Sequence, residues 1–231
     1  MTNKEAIILA GGFGTRLQNV VKDVPKPMAP VNGRPFLTYI FDYLINYNYT
    51  KVILSVGYLH EKIEEFFGSQ YKSIHIDYAV ETEPLGTGGG IAYALSFCTN
   101  ENVLVLNGDT LFKADLFSLE KFHIQHHSLL SIILRQVADT SRYGSVTINE
   151  NGRILHFTEK NNANGEGTIN GGIYMINNML IKELNLPAKF SFEKDLMEKY
   201  VDTLPFYAQC SLNYFIDIGI PEDYARAQVE L

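Results

Sequence analysis

The chain has 231 residues, 46% of them hydrophobic and 19% charged. That composition supplies a fully formed core and excludes a disordered chain. With 19 basic against 26 acidic residues the formal net charge is −7, which argues against a nucleic-acid partner, whose phosphates need a basic face, but not against a small anion held by local charge.

The first predicted element is an apolar strand over residues 6–10, which empties into Gly11, Gly12 and Gly14, with Thr15, Arg16 and Leu17 following. Glycines let backbone N–H groups approach a ligand closely, and consecutive N–H groups form an anion-binding concavity. Lys26 stands between Pro25 and Pro27, which stiffen the backbone and give its side chain a direction. A triphosphate site at the carboxyl end of the first strand is the resulting expectation. On the glycines alone a tight structural turn is an equal reading. The Gly-Lys-Ser/Thr ending of a P-loop is missing, and Leu17 stands where a dinucleotide fingerprint has its third glycine. An arginine on such a loop can also be merely paired with a surface carboxylate.

Further apolar runs predict strands over residues 52–56, 74–80, 103–106 and 129–134. Phe36, Leu37, Ile40, Phe41 and Leu44 repeat at helical spacing and predict a helix over 35–47, with Pro35 suited to its first turn. Glu61, Ile63, Phe66 and Phe67 predict a second helix closed by Gly68. Ile91, Ala94, Leu95 and Cys98 predict a third, beginning in the glycine cluster 86–90. This alternation is that of a mostly parallel sheet with helices on both faces, whose ligands sit at the carboxyl ends of its strands.

Beyond Leu134 the pattern changes. Residues 143–148 and 153–158 flank Asn151-Gly152, a strong hairpin signal. Residues 161–167 have the composition of a surface loop, and Asn170-Gly171-Gly172 opens a strand over 173–176. Ser191 can cap a helix running through Asp195, Leu196 and Tyr200. A last pair of strands over 206–210 and 214–218 follows, and Pro221 begins a closing helix. The expectation is one domain over residues 1–231, with a nucleotide half at about 1–135 and a second-substrate half at about 136–231.

Two strand ends carry acid: Asn107-Gly108-Asp109 and Asp217 before Gly219. An aspartate in a turn or capping a helix is the plain reading. Two of them suit Mg²⁺, which takes one or two carboxylates plus phosphate oxygens and water. Glu159-Lys160 reads plainly as a solvated pair. Beside Tyr143-Gly144 and Asn170-Gly171, the same pair could receive sugar hydroxyls and a sugar phosphate. Cys98 and Cys210 lack metal-ligand spacing and read as reduced, mostly buried thiols. The apolar run before Gly11 is too short for a signal-peptide core, and no run reaches membrane-spanning length, so a cytoplasmic location is expected.

The residues 11–17 with Pro25-Lys26-Pro27-Met28, then 83–89, 107–109, 157–160, 170–174 and 217–219, resemble the motifs of sugar-1-phosphate nucleotidyltransferases, in family order and over nearly the whole chain. Within that family the resemblance is greatest to the guanylyltransferases that act on D-glycero-α-D-manno-heptose 1-phosphate. The segments 20–30 and 84–90 carry it, and 85–89 also resembles the guanine-side loop of mannose-1-phosphate guanylyltransferases. The resemblance implies a three-layer α/β sandwich with a mostly parallel, Rossmann-like central sheet and a small antiparallel sugar-binding sub-sheet. It implies that GTP and a sugar 1-phosphate give a nucleoside-diphosphate sugar and pyrophosphate, with Mg²⁺ as cofactor, for surface polysaccharide biosynthesis.

The same resemblance assigns Arg16, Lys26 and Asp109 as catalytic, and Asp109 and Asp217 as metal ligands. Leu9, Ala10, Gly11, Gly12, Gly14, Thr15, Arg16, Glu81, Pro84, Gly86, Thr87 and Gly108 fall to the nucleotide. Lys26, Asn107, Tyr143, Gly144, Glu159, Lys160, Asn170 and Gly171 fall to the sugar phosphate. The implied partners are small-molecule substrates, with neither nucleic acid nor membrane; a homodimer stays open. Other bases and other sugar 1-phosphates stay open too. So does a glycosyltransferase, although its usual Asp-x-Asp tip is here Asn107-Gly108-Asp109. A non-catalytic binding protein is the third alternative, disfavoured because the basic and acidic site residues are all present.

Overall fold

A computed structural model describes residues 3–12, 17, 20–21, 23–141, 143–158 and 165–231. In chain order, β1 (Lys4–Leu9) leads to a 3₁₀ turn (Lys26–Met28), the short β2 (Pro30–Val31) and β3 (Arg34–Pro35), and α1 (Phe36–Asn46). Next come β4 (Tyr49–Val56), α2 (His60–Phe67), β5 (Gln70–Tyr71), β6 (Ile74–Val80), α3 (Gly86–Leu95) and β7 (Asn102–Asn107). The second half holds β8 (Thr110–Phe112), α4 (Leu116–Gln125), β9 (Leu130–Val137), β10 (Ser145–Ile148), β11 (Ile154–Thr158) and β12 (Gly167–Asn177). After α5 (Met179–Glu183) and a π-helical turn (Phe192–Glu198) come β13 (Phe206–Ser211), β14 (Phe215–Asp217) and α6 (Pro221–Glu230).

The centre of the molecule is the parallel run β7-β1-β4-β6. Antiparallel β12 extends it beyond β7, and β12 in turn pairs with β10 and β9. Side chains of these strands alternate between two cores. Ala6, Ile8, Val52, Leu54, Leu104 and Leu106 join Phe36, Ile40 and Phe41 of α1 on one face. Ile7, Ile53, Val103 and Val105 join Ile91 and Ala94 of α3 and Phe192 on the other. Burial on both faces is why the runs read as continuously apolar, and the three-layer expectation is met.

The chain starts in the middle of the sheet, steps outward through β4 and β6, then crosses by α3 to β7 on the far side of β1. The reversal point of such a sheet leaves a crevice at the carboxyl ends of the strands flanking it. Here those strands are β1 and β7.

Several expectations need correction. Gly167 and Asn170 lie inside one long strand, so Asn170 does not open it and residues 165–167 are only partly loop. The last two strands go to different sheets: β13 lies parallel to β9, while β14 pairs antiparallel with β8. The helix after Ser191 begins as a π-helical turn, in which Ser191 Oγ accepts from Lys194 N and Asp195 Oδ2 accepts from Ser191 N. Helix α4 had no sequence reading, although Asp115 caps it by accepting from Phe117 N and Ser118 N. Cys210 is exposed and Cys98 half-buried; burial pushes the Cys98 thiol up to about 12 and raises that of Cys210, so neither is activated.

Helix α4 also buries His123, whose Nδ1 meets Ser131 Oγ at 2.9 Å and Nε2 meets Asn102 Oδ1 at 3.1 Å. The amide oxygen can only accept, so Nε2 carries a proton in this contact. Burial lowers the His123 pKa from 6.5 to about 4. The unfolded chain therefore takes up this proton at a higher pH than the folded one. The stability is complete above about pH 6.5 and falls as the pH drops toward 4, by about 3 kcal/mol. Urea melts between pH 7 and pH 4.5 are expected to show that slope, and His123→Gln to flatten it. An unchanged slope in the variant would assign the pH dependence to other groups.

Candidate active site

At the crevice the strand ends are laced together. Leu9 lies opposite Asn107, Gly108 N donates to Leu9 O at 2.9 Å, and Ala10 N donates to Ser55 O at 2.8 Å. Glu81 N continues the ladder to Val56 O at 2.8 Å. Above them opens a cavity of about 940 Å³. Leu9, Ala10, Gly11, Gly12, Lys26, Asn107, Asp109 and Gly219 line one part of it, and Glu81, Thr82, Pro84, Gly86, Thr87 and Glu193 another.

Lys26 starts the 3₁₀ turn whose Pro27 and Met28 are buried, and its own side chain is only 10% exposed. The ammonium forms an ion pair with Asp109 Oδ2, and Asp109 Oδ1 accepts from Thr110 Oγ1 at 3.3 Å. The β8–β14 ribbon sets Asp217 opposite Thr110, which brings the second strand-end acid beside the first. Gly219 N donates to Asp217 Oδ1 at 2.7 Å. A Cβ on Gly219 would lie 2.8 Å from Asp217 Oδ1 and 3.0 Å from Lys26 Nζ, so a larger residue there would push these charged groups aside. Positions 26, 109 and 217, far apart in sequence, thus meet at one end of the cavity.

No group of three or more His, Cys, Asp or Glu side chains suited to a metal occurs among the described residues. Asp109 and Asp217 could give two carboxylates to a hard cation whose remaining ligands would be phosphate oxygens and water. The residues present fit Mg²⁺ held jointly by protein and a phosphorylated ligand.

The other part of the cavity is built on Glu81. Its Oε1 accepts from Ser55 Oγ at 3.1 Å and its Oε2 from Leu85 N at 3.0 Å, so the carboxylate fixes the loop leading into α3. Gly90 makes room for it: a Cβ there would lie 2.7 Å from Glu81 Oε1. The glycines before it serve packing. A Cβ at Gly88 would lie 2.1 Å from the Phe190 ring, and one at Gly89 would lie 2.3 Å from Ala188 O.

Of the sequence-assigned residues, Leu9, Ala10, Gly11, Gly12, Lys26, Glu81, Pro84, Gly86, Thr87, Asn107 and Asp109 line the cavity. Gly14, Thr15, Arg16, Glu159 and Lys160 lie outside the described residues. Gly108 packs under the cavity, where a Cβ would meet Leu9 O at 2.6 Å. Tyr143, Gly144, Asn170 and Gly171 are not among the lining residues. Tyr143 packs against Phe215, Gly144 O accepts from Asn170 N, and Gly171 faces the Phe112 ring. Asn170 spends its side chain on Tyr174 OH and Gly172 N, at 2.7 and 3.0 Å. Ser55, Gly57, Tyr58, His60 and Glu193 line the cavity without having been assigned from sequence. Gly57 directly after a strand was a usable signal; nothing local marked Glu193.

Residues 5–231 match the family described as Nucleotidyl transferase. The chain is 49% identical to the D-glycero-alpha-D-manno-heptose 1-phosphate guanylyltransferase of Aneurinibacillus thermoaerophilus, over 98% of each chain. It is 46% identical to the protein of the same name from Campylobacter jejuni, over 95% of this chain and 96% of that one. The crystal structure of HddC from Yersinia pseudotuberculosis complexed with GMP-PN superposes with a TM-score of 0.86 at 37% identity, covering 98% of this chain and 99% of that one.

Proposed function

The chain belongs to the nucleotidyl transferase family, and on that premise we propose that it transfers the guanylyl group of GTP to D-glycero-α-D-manno-heptose 1-phosphate, releasing pyrophosphate. The observation that carries this reading is the meeting of Lys26, Asp109 and Asp217 at one end of a cavity floored by glycine-rich strand ends. Full-length similarity to two proteins bearing that activity's name supports the choice of base and sugar.

The attacking group is a phosphate oxygen of the sugar, already largely ionised near neutrality because a phosphomonoester's second pKa is about 6. No side-chain nucleophile is required. The barrier lies in bringing two anions into line and stabilising charge at the α-phosphorus, which positioning and electrostatics supply. Lys26, held beside Asp109 and little exposed, is placed to neutralise the charge between the α-phosphate and the incoming sugar phosphate. Asp109 and Asp217 would hold Mg²⁺, which supplies charge neutralisation at the α-phosphate. Gly11 and Gly12 offer backbone at the phosphates, with Arg16 on the triphosphate and Lys160 on the sugar phosphate completing the proposal.

Guanine presents N1–H and N2–H₂ as a pair of adjacent donors, and the Glu81 carboxylate lines the cavity as an acceptor. Among the described residues no helix is long and apolar enough to cross a membrane. A cytoplasmic enzyme making an activated heptose for surface polysaccharide fits that finding. Pyrophosphate release is to be measured across a panel of triphosphates and sugar 1-phosphates with Mg²⁺. The pair GTP and heptose 1-phosphate is expected to give the highest kcat/KM. Release with no pair would sink the nucleotidyltransferase reading, and a better non-guanine pair would correct the base.

A further inference from the structure

We propose that Glu193 is a positioning residue for the triphosphate: through Thr87 it holds the first turn of α3, and with it the loop expected to receive the nucleobase. The proposal rests on reading the 81–87 loop as the nucleobase side of the cavity.

Thr87 and Glu193 line the same cavity but come from opposite halves of the chain. Thr87 Oγ1 donates to Glu193 Oε2 at 2.6 Å and accepts from Phe192 N at 2.9 Å. The hydroxyl thus has its donor and one acceptor position committed to a single segment. Ser191 Oγ donates to the same Glu193 oxygen at 3.1 Å and accepts from Lys194 N at 3.2 Å, which fixes the carboxylate at the mouth of the π-helical turn.

The contact continues along the backbone. Gly88 N and Gly89 N donate to Phe190 O at 3.0 and 3.4 Å, and Phe190 N donates back to Leu85 O at 3.0 Å. The first N–H groups of a helix have no partner within it, and the second half of the chain satisfies two of those of α3. Gly86, with φ +75°, has Phe190 O 2.6 Å from where a Cβ would stand. The segment therefore sits flush on the glycines, with Phe190 and Phe192 buried as anchors. Of the bonds that join α3 to this segment, Thr87–Glu193 is the charge-assisted one, and bonds of that kind are about twice as strong as neutral ones.

A group acting only by holding the loop has a definite signature. Removing the acceptor in Glu193→Ala, or the hydroxyl in Thr87→Val, should weaken GTP binding about ten-fold. The double variant should be little worse than either single one. Glu193→Gln keeps a neutral acceptor for the hydroxyl and should bind within about three-fold of the unaltered protein.

The test is calorimetric titration of GTP into the four variants and the unaltered protein, with steady-state KM values for both substrates. The expected result is a raised Kd and KM for GTP, with the KM of the sugar phosphate and the unfolding midpoint little changed. Equal GTP affinity in all variants would overturn the assignment of Glu193. So would independent, fully additive losses, or a Glu193→Gln variant as weak as Glu193→Ala, since those point to a direct or charge-based role. If the unaltered protein itself takes up no GTP, the nucleobase reading of the loop fails first, and this inference with it.

Discussion

Lys26→Ala is expected to lower turnover at saturating substrates by about a thousand-fold while leaving the fold intact. Removing one preorganised donor aimed at developing charge costs about a hundred- to a thousand-fold in other enzymes, and here the lost group carries a full charge in a site where it is only 10% exposed. The fold should tolerate the change. Asp109, left without its partner, is 32% exposed and can be solvated, so the lost ion pair is worth about 1 kcal/mol or less. Lys26→Arg should not restore the rate. Gly219 leaves room for a compact ammonium with Asp217 alongside, and a planar guanidinium is larger and differently directed. Asp109→Asn should fall comparably, because it removes both the anchor of Lys26 and a carboxylate proposed for Mg²⁺. Pyrophosphate release measured beside thermal melts separates the effects. Near-full activity in Lys26→Ala would remove this lysine from the charge between the two phosphates.

What the sequence made legible follows from how local each signal is. The strands of the central sheet were readable because burial on both faces writes an unbroken apolar run, as in Ala6–Ile7–Ile8 and Val52–Ile53–Leu54. Helices α1 and α2 were readable from their one-sided spacing and, for α2, from Gly68 at its end, with φ +57°. Lys26 and the two strand-end aspartates stood out through their prolines and glycines. Helix α4 was not read, because apolar Phe117 and Ile124 lie exposed on it and blur the one-sided spacing of buried Leu116, Leu119 and His123. The pairing of β14 with β8 is non-local and carries no mark in either short segment, yet it is what sets Asp217 beside Asp109. The glycines 86–89 were visible as a cluster. That they receive residues 188–190 depends on a segment about a hundred positions away, which only the fold reveals. The packing of Gly171 is non-local in the same way: its missing side chain makes room for Phe112.

Phe192→Ala is expected to be among the most damaging substitutions for stability, at about 3–5 kcal/mol. The ring is fully buried, meets Tyr174 edge-on with centroids 5.3 Å apart, and lies in the core on the α3 face of the sheet. Nothing nearby is free to collapse into the space, since Phe190 is already pressed against Gly88 and Tyr174 belongs to a central strand. For a chain of this length the unfolding midpoint should fall by about 10 °C. The substitution also separates two roles of one segment. The Phe192 N–H to Thr87 Oγ1 is a main-chain bond that alanine retains, as is the Thr87–Glu193 bond beside it. If the ring's burial is what seats residues 188–193 on α3, removing it should loosen those bonds too, and GTP affinity should fall together with stability. Phe192→Leu, which keeps most of the buried volume, should recover most of both. Thermal and denaturant melts with GTP titrations on the two variants decide it. A Phe192→Ala protein with unaltered affinity for GTP would mean that the polar contacts at Thr87 hold the segment by themselves.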